Sequence, residues 1–329
     1  MLWRACAAAH VARWIGADNP GRSMQLKMLS PRQNLVSYAA AFTFILTMVG
    51  VAAVFNDREI VLPEMAAMAV ALWAYRDQAW MRQPEKIFWW PSLTALLGFG
   101  INFLPLPFVG KLVLVLTGML LLFGLARYSL APALATGFLP IVTNATEWSF
   151  MVAIVVTALV LMLGVLLFRL RDPAPRAAPV PWRRMVVYAL IMLAWMLAIS
   201  ALGYSRWAVI PPVAVVVYES LHMPMYGRKM LGKQVLALTL SAAIGVGLAQ
   251  IVASWVGAVA LSMALVYILL RAMGMRMPAA YAFPLLAYVF PPEGVTWLPV
   301  AALGNAAFAL GAVLLYRSRA LPPMVPKTA

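Results

Sequence analysis

The chain has 329 residues, of which 64% are hydrophobic and 11% charged, and its mean hydropathy is +0.89. So little polar surface cannot cover a water-soluble globule of this length, so the chain reads as lipid-embedded. The formal net charge of +15 lies in short basic clusters between apolar runs and not along one amphipathic face, which suits cytoplasmic loop anchors and argues against nucleic acid as a partner.

Residues 1–34 are basic and poorly periodic, with no long apolar run ending in a cleavage site, and read as an N-terminal tail rather than a signal peptide. The single cysteine, Cys6, excludes an intrachain disulfide. Two histidines, His10 and His222, offer no His/Cys metal cluster, and neither a metal nor another cofactor is expected.

Crossing about 30 Å of hydrocarbon takes about 20 apolar residues. The apolar runs fall at 36–55, 60–75, 91–107, 109–126, 131–144 and 148–170, then at 185–203, 207–220, 234–253, 255–271, 277–290 and 296–316. The second and fifth of each set are short and carry prolines, which suggests re-entrant segments. Charge placement argues the other way. With both termini inside and every run crossing, only Arg58, Lys111 and Arg206 fall outside; making a short run of the first set re-entrant exports a basic cluster.

The two sets repeat each other at a spacing of about 147 residues. Val61-Leu62-Pro63 answers to Val209-Ile210-Pro211, Arg82 to Arg228, Lys86 to Lys233 and Pro132 to Pro278. Gly98-x-Gly100 answers to Gly245-x-Gly247, and Glu147 to Glu293. An even number of spans per copy gives both copies one orientation. The predicted fold is therefore all-α: a polytopic integral membrane protein with about 12 transmembrane segments in two parallel six-helix repeats. The repeats are placed at 35–170 and 185–317, joined by a Pro/Arg linker at 171–184 and followed by a tail at 318–329.

Helix breaks in lipid expose backbone groups that protein or cavity water must satisfy, so paired breaks point to a site. Two pairs recur: Pro63 with Pro211 and Pro212, and Pro132 with Pro278, the latter followed by Pro140 and Pro284. Proline at a helix entrance is also ordinary N-terminal chemistry. Glu64 lies one turn inside an apolar run, which costs roughly 2.5 to 3.5 kcal/mol for a central carboxylate. It is a proton carrier or cation ligand, or else it reaches the interface and pairs with Arg58. The second copy has Pro212 in its place, so no symmetric carboxylate pair arises from it.

Glu147 and Glu293, each close before a tryptophan, either line an outer vestibule or are solvated loop charges beside interfacial anchors. Asn144, with Asn102, Asn305, Thr94 and Ser241, either faces a pathway or links helices. The glycine pairs lack the lysine of a phosphate loop and read as sites of close helix approach. His222 reads as a residue of a cytoplasmic loop beside Glu219. No serine, histidine and aspartate set or paired intramembrane carboxylates occur at helical spacing, so no enzyme is expected.

The order Val213 to Tyr218, Met223-Pro224, Gly227-Arg228-Lys229-Met230-Leu231-Gly232-Lys233, Ser241-Ala242-Ala243-Ile244-Gly245-Val246, Leu269-Leu270-Arg271 and Arg276-Met277-Pro278-Ala279-Ala280 resembles the HPP family of integral membrane proteins. Leu130-Ala131-Pro132-Ala133 repeats the defining motif in the first half. Arg276 and Leu130 replace the family's histidine, and Met277 and Ala131 its first proline, so no role of that histidine carries over. The resemblance implies a transport-type protein, with nitrite or a related small anion as the substrate class proposed for some members. A second likeness, through Trp207-Ala208-Val209 and the basic-glycine loop, is to the aromatic-acid exporter and fusaric-acid resistance group.

The sequence thus predicts a transporter or channel for a small anionic solute, with a pathway between the repeats at Pro63, Glu64, Pro132, Asn144, Pro211, Pro212, Pro278 and Pro284 and a vestibule at Glu147 and Glu293. The alternatives are a non-transporting scaffold or an exporter-like efflux protein. The expected setting is a bacterial inner membrane, with the lipid bilayer and a small molecule or ion as partners and possible homo-oligomers.

Overall fold

A computed structural model describes residues 30–81, 83–171, 182–223 and 225–320. Most of the predicted N-terminal tail, most of the linker at 171–184 and most of the C-terminal tail lie outside the described residues, as do Arg82, Pro224 and the side chain of Glu293. Residues Met1–Val36 and Ser37–Ala329 form separate units. What is described of the first is a helix start. Ser30 Oγ accepts the Gln33 N–H at 3.2 Å while Gln33 Oε1 accepts the Ser30 N–H at 3.1 Å, a capping box that opens α1 (Pro31–Phe55) at a proline.

Every regular element among the described residues is helical. A 3-10 turn at Arg58–Ile60 leads into α2 (Pro63–Ala69), which continues as a π-helix over Val70–Ala74. Then come α3 (Gln78–Met81), α4 (Glu85–Asn102), α5 (Phe108–Ala126), α6 (Pro132–Thr143) and α7 (Trp148–Leu167). After the linker follow α8 (Trp182–Ala201), a 3-10 turn at Ser205–Trp207, α9 (Pro211–His222), α10 (Arg228–Ile251) and α11 (Trp255–Ala272). A 3-10 turn at Pro278–Ala282 passes into α12 (Phe283–Val289), and a last one at Pro292–Trp297 leads to α13 (Leu298–Ala320).

Among the described residues, seven helices are long and apolar enough to cross a membrane, as a membrane-embedded protein requires. Their outward faces carry Val54, Leu125 and Leu167, at 82%, 84% and 74% exposure, a surface that only lipid can cover favourably. Trp148 and Trp297, next to the expected loop glutamates, are likewise exposed.

The four short proline-led elements are of another kind. Pro63 to Leu72 are buried without exception, as are Pro132 to Val142; Pro211 to Leu221 and Ala279 to Val289 are buried apart from Glu219 and Ala287, which are partly exposed. Each element of 12 residues rises about 18 Å, less than the hydrocarbon thickness. Irregular backbone at their ends is tolerated in a membrane because protein surrounds it. They pack across the two halves: α2 lies on the Pro278–Ala282 turn, and α9 lies on α6. Long helices surround them: α4 packs on α6 and α7 on α2, α10 on α12 and α13 on α9.

Two glycines set these distances. A Cβ on Gly98 of α4 would fall on the carbonyl oxygen of Gly137 and lie 2.9 Å from the Pro140 ring of α6. One on Gly245 of α10 would fall on the Pro284 backbone of α12. Gly100 and Gly247 face open space, so only the first glycine of each predicted pair makes a close approach.

The α4–α6 contact also holds a buried hydrogen bond, Thr94 Oγ1 to Thr136 Oγ1 at 2.7 Å. Its counterpart across the repeat, Ser241, is fully buried and its hydroxyl has no hydrogen-bond partner. Thr94→Val is expected to cost about 1 kcal/mol in detergent unfolding, and Ser241→Ala to be neutral or stabilising. Equal costs at the two sites would contradict this account.

Several helices begin ahead of the apolar runs expected for them, the first at Pro31 and the one expected at 234–253 at Arg228. The third run, expected at 91–107, forms a helix that starts at Glu85, because Lys86 Nζ stands 3.8 Å over the Tyr128 ring and its charge is held at the helix start.

Candidate functional site

The short helices meet around a central cavity. Pro63, Glu64 and Ala67 of α2 line it together with Pro132 and Ala135 of α6. From the other half come Pro211, Pro212, Val215 and Glu219 of α9, with Ala279 and Ala282 of the 3-10 turn that Pro278 opens. Trp80 of α3 completes the wall. Apart from α3, each of these elements begins at a proline with no side-chain cap, the position where the missing N–H costs nothing. The cavity is tight, about 10 Å³, the room one water molecule needs.

Glu64 is 3% exposed, and neither carboxylate oxygen is hydrogen-bonded to another residue. The expected pairing with Arg58 does not occur: Pro63 starts the helix, turning Glu64 inward, while Arg58 stays on the exposed 3-10 turn. A buried carboxylate without partners carries a desolvation cost of about 1–3 kcal/mol or more. Adjoining it, the helix winds as a π-helix from Val70, with the Tyr75 N–H donating to the Val70 carbonyl at 2.9 Å, a geometry concentrated at functional sites.

Glu219 is the residue that sequence reading passed over. Glu219 and His222 lie in α9 and not on a loop, and Glu219 faces the central cavity from its far end. The cavity is thus lined by two carboxylates, one from each half, at positions that do not correspond across the repeat and that no helical spacing in the sequence relates. Run as a helix from Pro211, the sequence places Val215 and Glu219 one turn apart on a single face, and that spacing was the available signal. The end of α9 is held by Arg317 of α13, buried, whose Nη1 donates to the Leu221 carbonyl at 3.2 Å.

A second, larger cleft of about 370 Å³ lies at the other end of the same helices. Leu139, Thr143 and Asn144 of α6 line it, with Val289, Phe290 and Pro291 at the end of α12. Arg58, Glu59 and Val61 close it from the approach to α2, with Phe150 of α7. On α6 the step from Ala135 in the cavity to Leu139 in the cleft is one helical turn, about 6 Å. Trp207, at the approach to α9, stacks on Phe290 at 5.6 Å, so α9 runs from the cleft to Glu219.

Asn144 belongs to this cleft and not to the cavity. It ends α6 in the left-handed region at φ 53°, a conformation asparagine tolerates. Its Oδ1 accepts from Asn102 Nδ2 at 3.4 Å, and Asn102 Nδ2 also donates to the Ala145 carbonyl at 2.9 Å. Glu147 contributes backbone only: the Thr146 and Glu147 N–H groups donate to the two oxygens of Glu59 at 2.9 and 3.0 Å. Burial nonetheless holds the Glu59 carboxyl above its usual range against those two donors. Pro284 lines neither space; it packs on Gly245. Asn305 is buried with no partner for its amide.

Comparison with known protein families, curated proteins and solved structures returns no match.

Proposed function

We propose that the protein is a membrane transporter of two parallel six-segment halves, moving a small anion along the four short helices together with a proton carried by Glu64. The unpartnered, buried Glu64 at the crossing of those helices is the observation that carries this reading. The order long helix, 3-10 turn, short proline-led helix, long pair, short helix, long helix is met on both sides of the linker, which supports the duplication. Pro132 and Pro278 each open a short buried element, as the HPP resemblance implies for its motif. Basic clusters on one side support cytoplasmic termini in a bacterial inner membrane.

The lining chemistry favours a proton over a metal cation. Apart from the two carboxylates and the Trp80 indole, the cavity wall consists of proline, alanine and valine side chains, which offer no oxygen. An alkali or divalent ion needs about six oxygen ligands or more, whereas a proton needs a carboxylate and at most one water. An ionised pair repels an anion and a protonated pair does not, so solute and proton pass together. The cleft, ending one helical turn from the cavity, serves as the waiting site.

The test is flux into liposomes containing the purified protein, across a panel of small anions, with and without an imposed pH gradient. Uptake driven by an acidic donor side is expected. Absence of flux for every member under either gradient favours the scaffold reading. A reporter inserted at Glu147 is expected to report the outer side; a cytoplasmic signal overturns the six-plus-six arrangement.

A further inference from the structure

We infer that His222 is a proton sensor: charging its imidazole releases the last turn of α9, the turn that holds Glu219 against the central cavity. His222 ends α9, and its Nδ1 lies 2.7 Å from the Tyr218 carbonyl one turn back. A carbonyl only accepts, so Nδ1 carries the hydrogen and the neutral ring has its lone pair on Nε2. That nitrogen is buried and has no hydrogen-bond partner among the described residues. The imidazole also lies against the Tyr218 ring, at 4.5 Å between centroids, and Tyr218 packs in turn on Tyr188 of α8 at 5.2 Å.

The same turn is held by a hydrogen-bonded clamp. Arg317 Nη1 of α13 donates to the Leu221 carbonyl at 3.2 Å and to that of Ser220 at 3.5 Å. Gln234 Nε2 of α10 donates to Ser220 Oγ at 3.1 Å, while Gln234 Oε1 accepts from the Tyr226 hydroxyl at 2.8 Å. Clamp and imidazole are compatible only while the ring is neutral. Burial disfavours a proton on Nε2, as do the charges of Arg184 on α8 and Arg317; the Tyr218 carbonyl alone favours one. The other elements packed on α9 bring no counter-charge to the ring. Helix α6 has no titratable side chain, the Pro278–Ala282 turn brings only Tyr281, and Glu64 of α2, like Glu219, faces the cavity. His222 is partly exposed, and a ring that swings out to water escapes both burial and the two arginines, so the released end binds a proton more tightly than the held one.

The test is hydrogen exchange of the purified full chain in detergent, read by mass spectrometry over 217–223 with rates corrected for the intrinsic effect of pH, and with 237–246 inside α10 as reference. For a released imidazole of ordinary affinity, protection of this segment is expected to fall about threefold to tenfold between about pH 7.5 and about pH 5.5, with the reference unchanged. His222→Gln, which takes no proton, is expected to keep the same protection at both. Arg184→Gln, which removes one opposing charge from outside the clamp, is expected to lose less than the parent. Equal loss in the parent and in His222→Gln, no loss in the parent, or an equal loss in the reference overturns the inference. A greater loss in Arg184→Gln does the same. That the release also slows flux rests on the transport reading; the exchange result does not. Absence of flux therefore removes the transporter and leaves the sensor, whereas flux with exchange indifferent to pH does the reverse.

Discussion

Glu64→Gln is expected to abolish proton-driven flux in liposomes while leaving the folded protein at least as stable as its parent. The two halves of this result come from one fact. A carboxylate that is 3% exposed and has no partner in another residue lowers the stability of the fold, by about 1–3 kcal/mol on the cost of an unsatisfied buried polar group. Replacement by an uncharged isostere removes the ionisable group without opening a cavity, so thermal unfolding in detergent moves upward or not at all. Glu64→Met carries this further by removing the polar group altogether, and its unfolding temperature is expected to exceed the parent's. A residue kept against stability marks function. Glu219→Gln, partly exposed at the far end of the cavity, is expected to slow flux and to leave stability unchanged. Full proton-driven flux in Glu64→Gln would falsify the assignment of the proton to this residue. A large loss of stability in that variant shows instead that the carboxylate holds the fold.

Gly98→Ala and Gly245→Ala are expected to be the most damaging single-methyl changes in the molecule. In both, the added carbon meets backbone of a fully enclosed helix, Gly137 in one case and Pro284 in the other, and backbone cannot rotate away as a side-chain end does. Overpacking of this kind costs about 1–3 kcal/mol when side chains can yield, and more is expected here. The matched controls lie two residues on. Gly100→Ala and Gly247→Ala meet nothing within 4 Å and are expected to be neutral or slightly stabilising, since alanine is the better helix former by about 1 kcal/mol. The yield of monodisperse protein and the unfolding temperature should separate the two pairs. Similar behaviour of all four variants rejects the packing account.

Most of the element order was legible because hydrophobic run length and proline position are local signals. Pro63, Pro132, Pro211 and Pro278 each open a short element inside the apolar run predicted there, and the first glycine of each pair, though not the second, makes the close helix approach expected of it. What failed was everything that depends on the direction of a side chain. Glu64 was open to pairing with Arg58 because nothing local tells a first-turn glutamate which side of a buried helix it will face. Glu219 was read as loop because the basic, glycine-containing stretch after it looks like a loop, although α9 runs through to His222. Asn144 was grouped with the prolines because it is polar within an apolar run, yet its place is a left-handed helix end at the cleft.

The sequence by itself determined that this chain is helical and belongs in lipid, since composition and run length leave no other way to satisfy its backbone. It also determined where the short elements start, because proline can stand at a helix entrance and disturbs a helix interior. Only the tertiary structure decided that the short elements pack across the two halves, α2 on the Pro278–Ala282 turn and α9 on α6, and so enclose a cavity that neither half forms alone. It decided as well that one carboxylate from each half faces that cavity at unmatched positions. The reason is physical: a repeat imposes like sequences on like places, but which faces meet is settled by packing between segments more than a hundred residues apart, where no local pattern reaches.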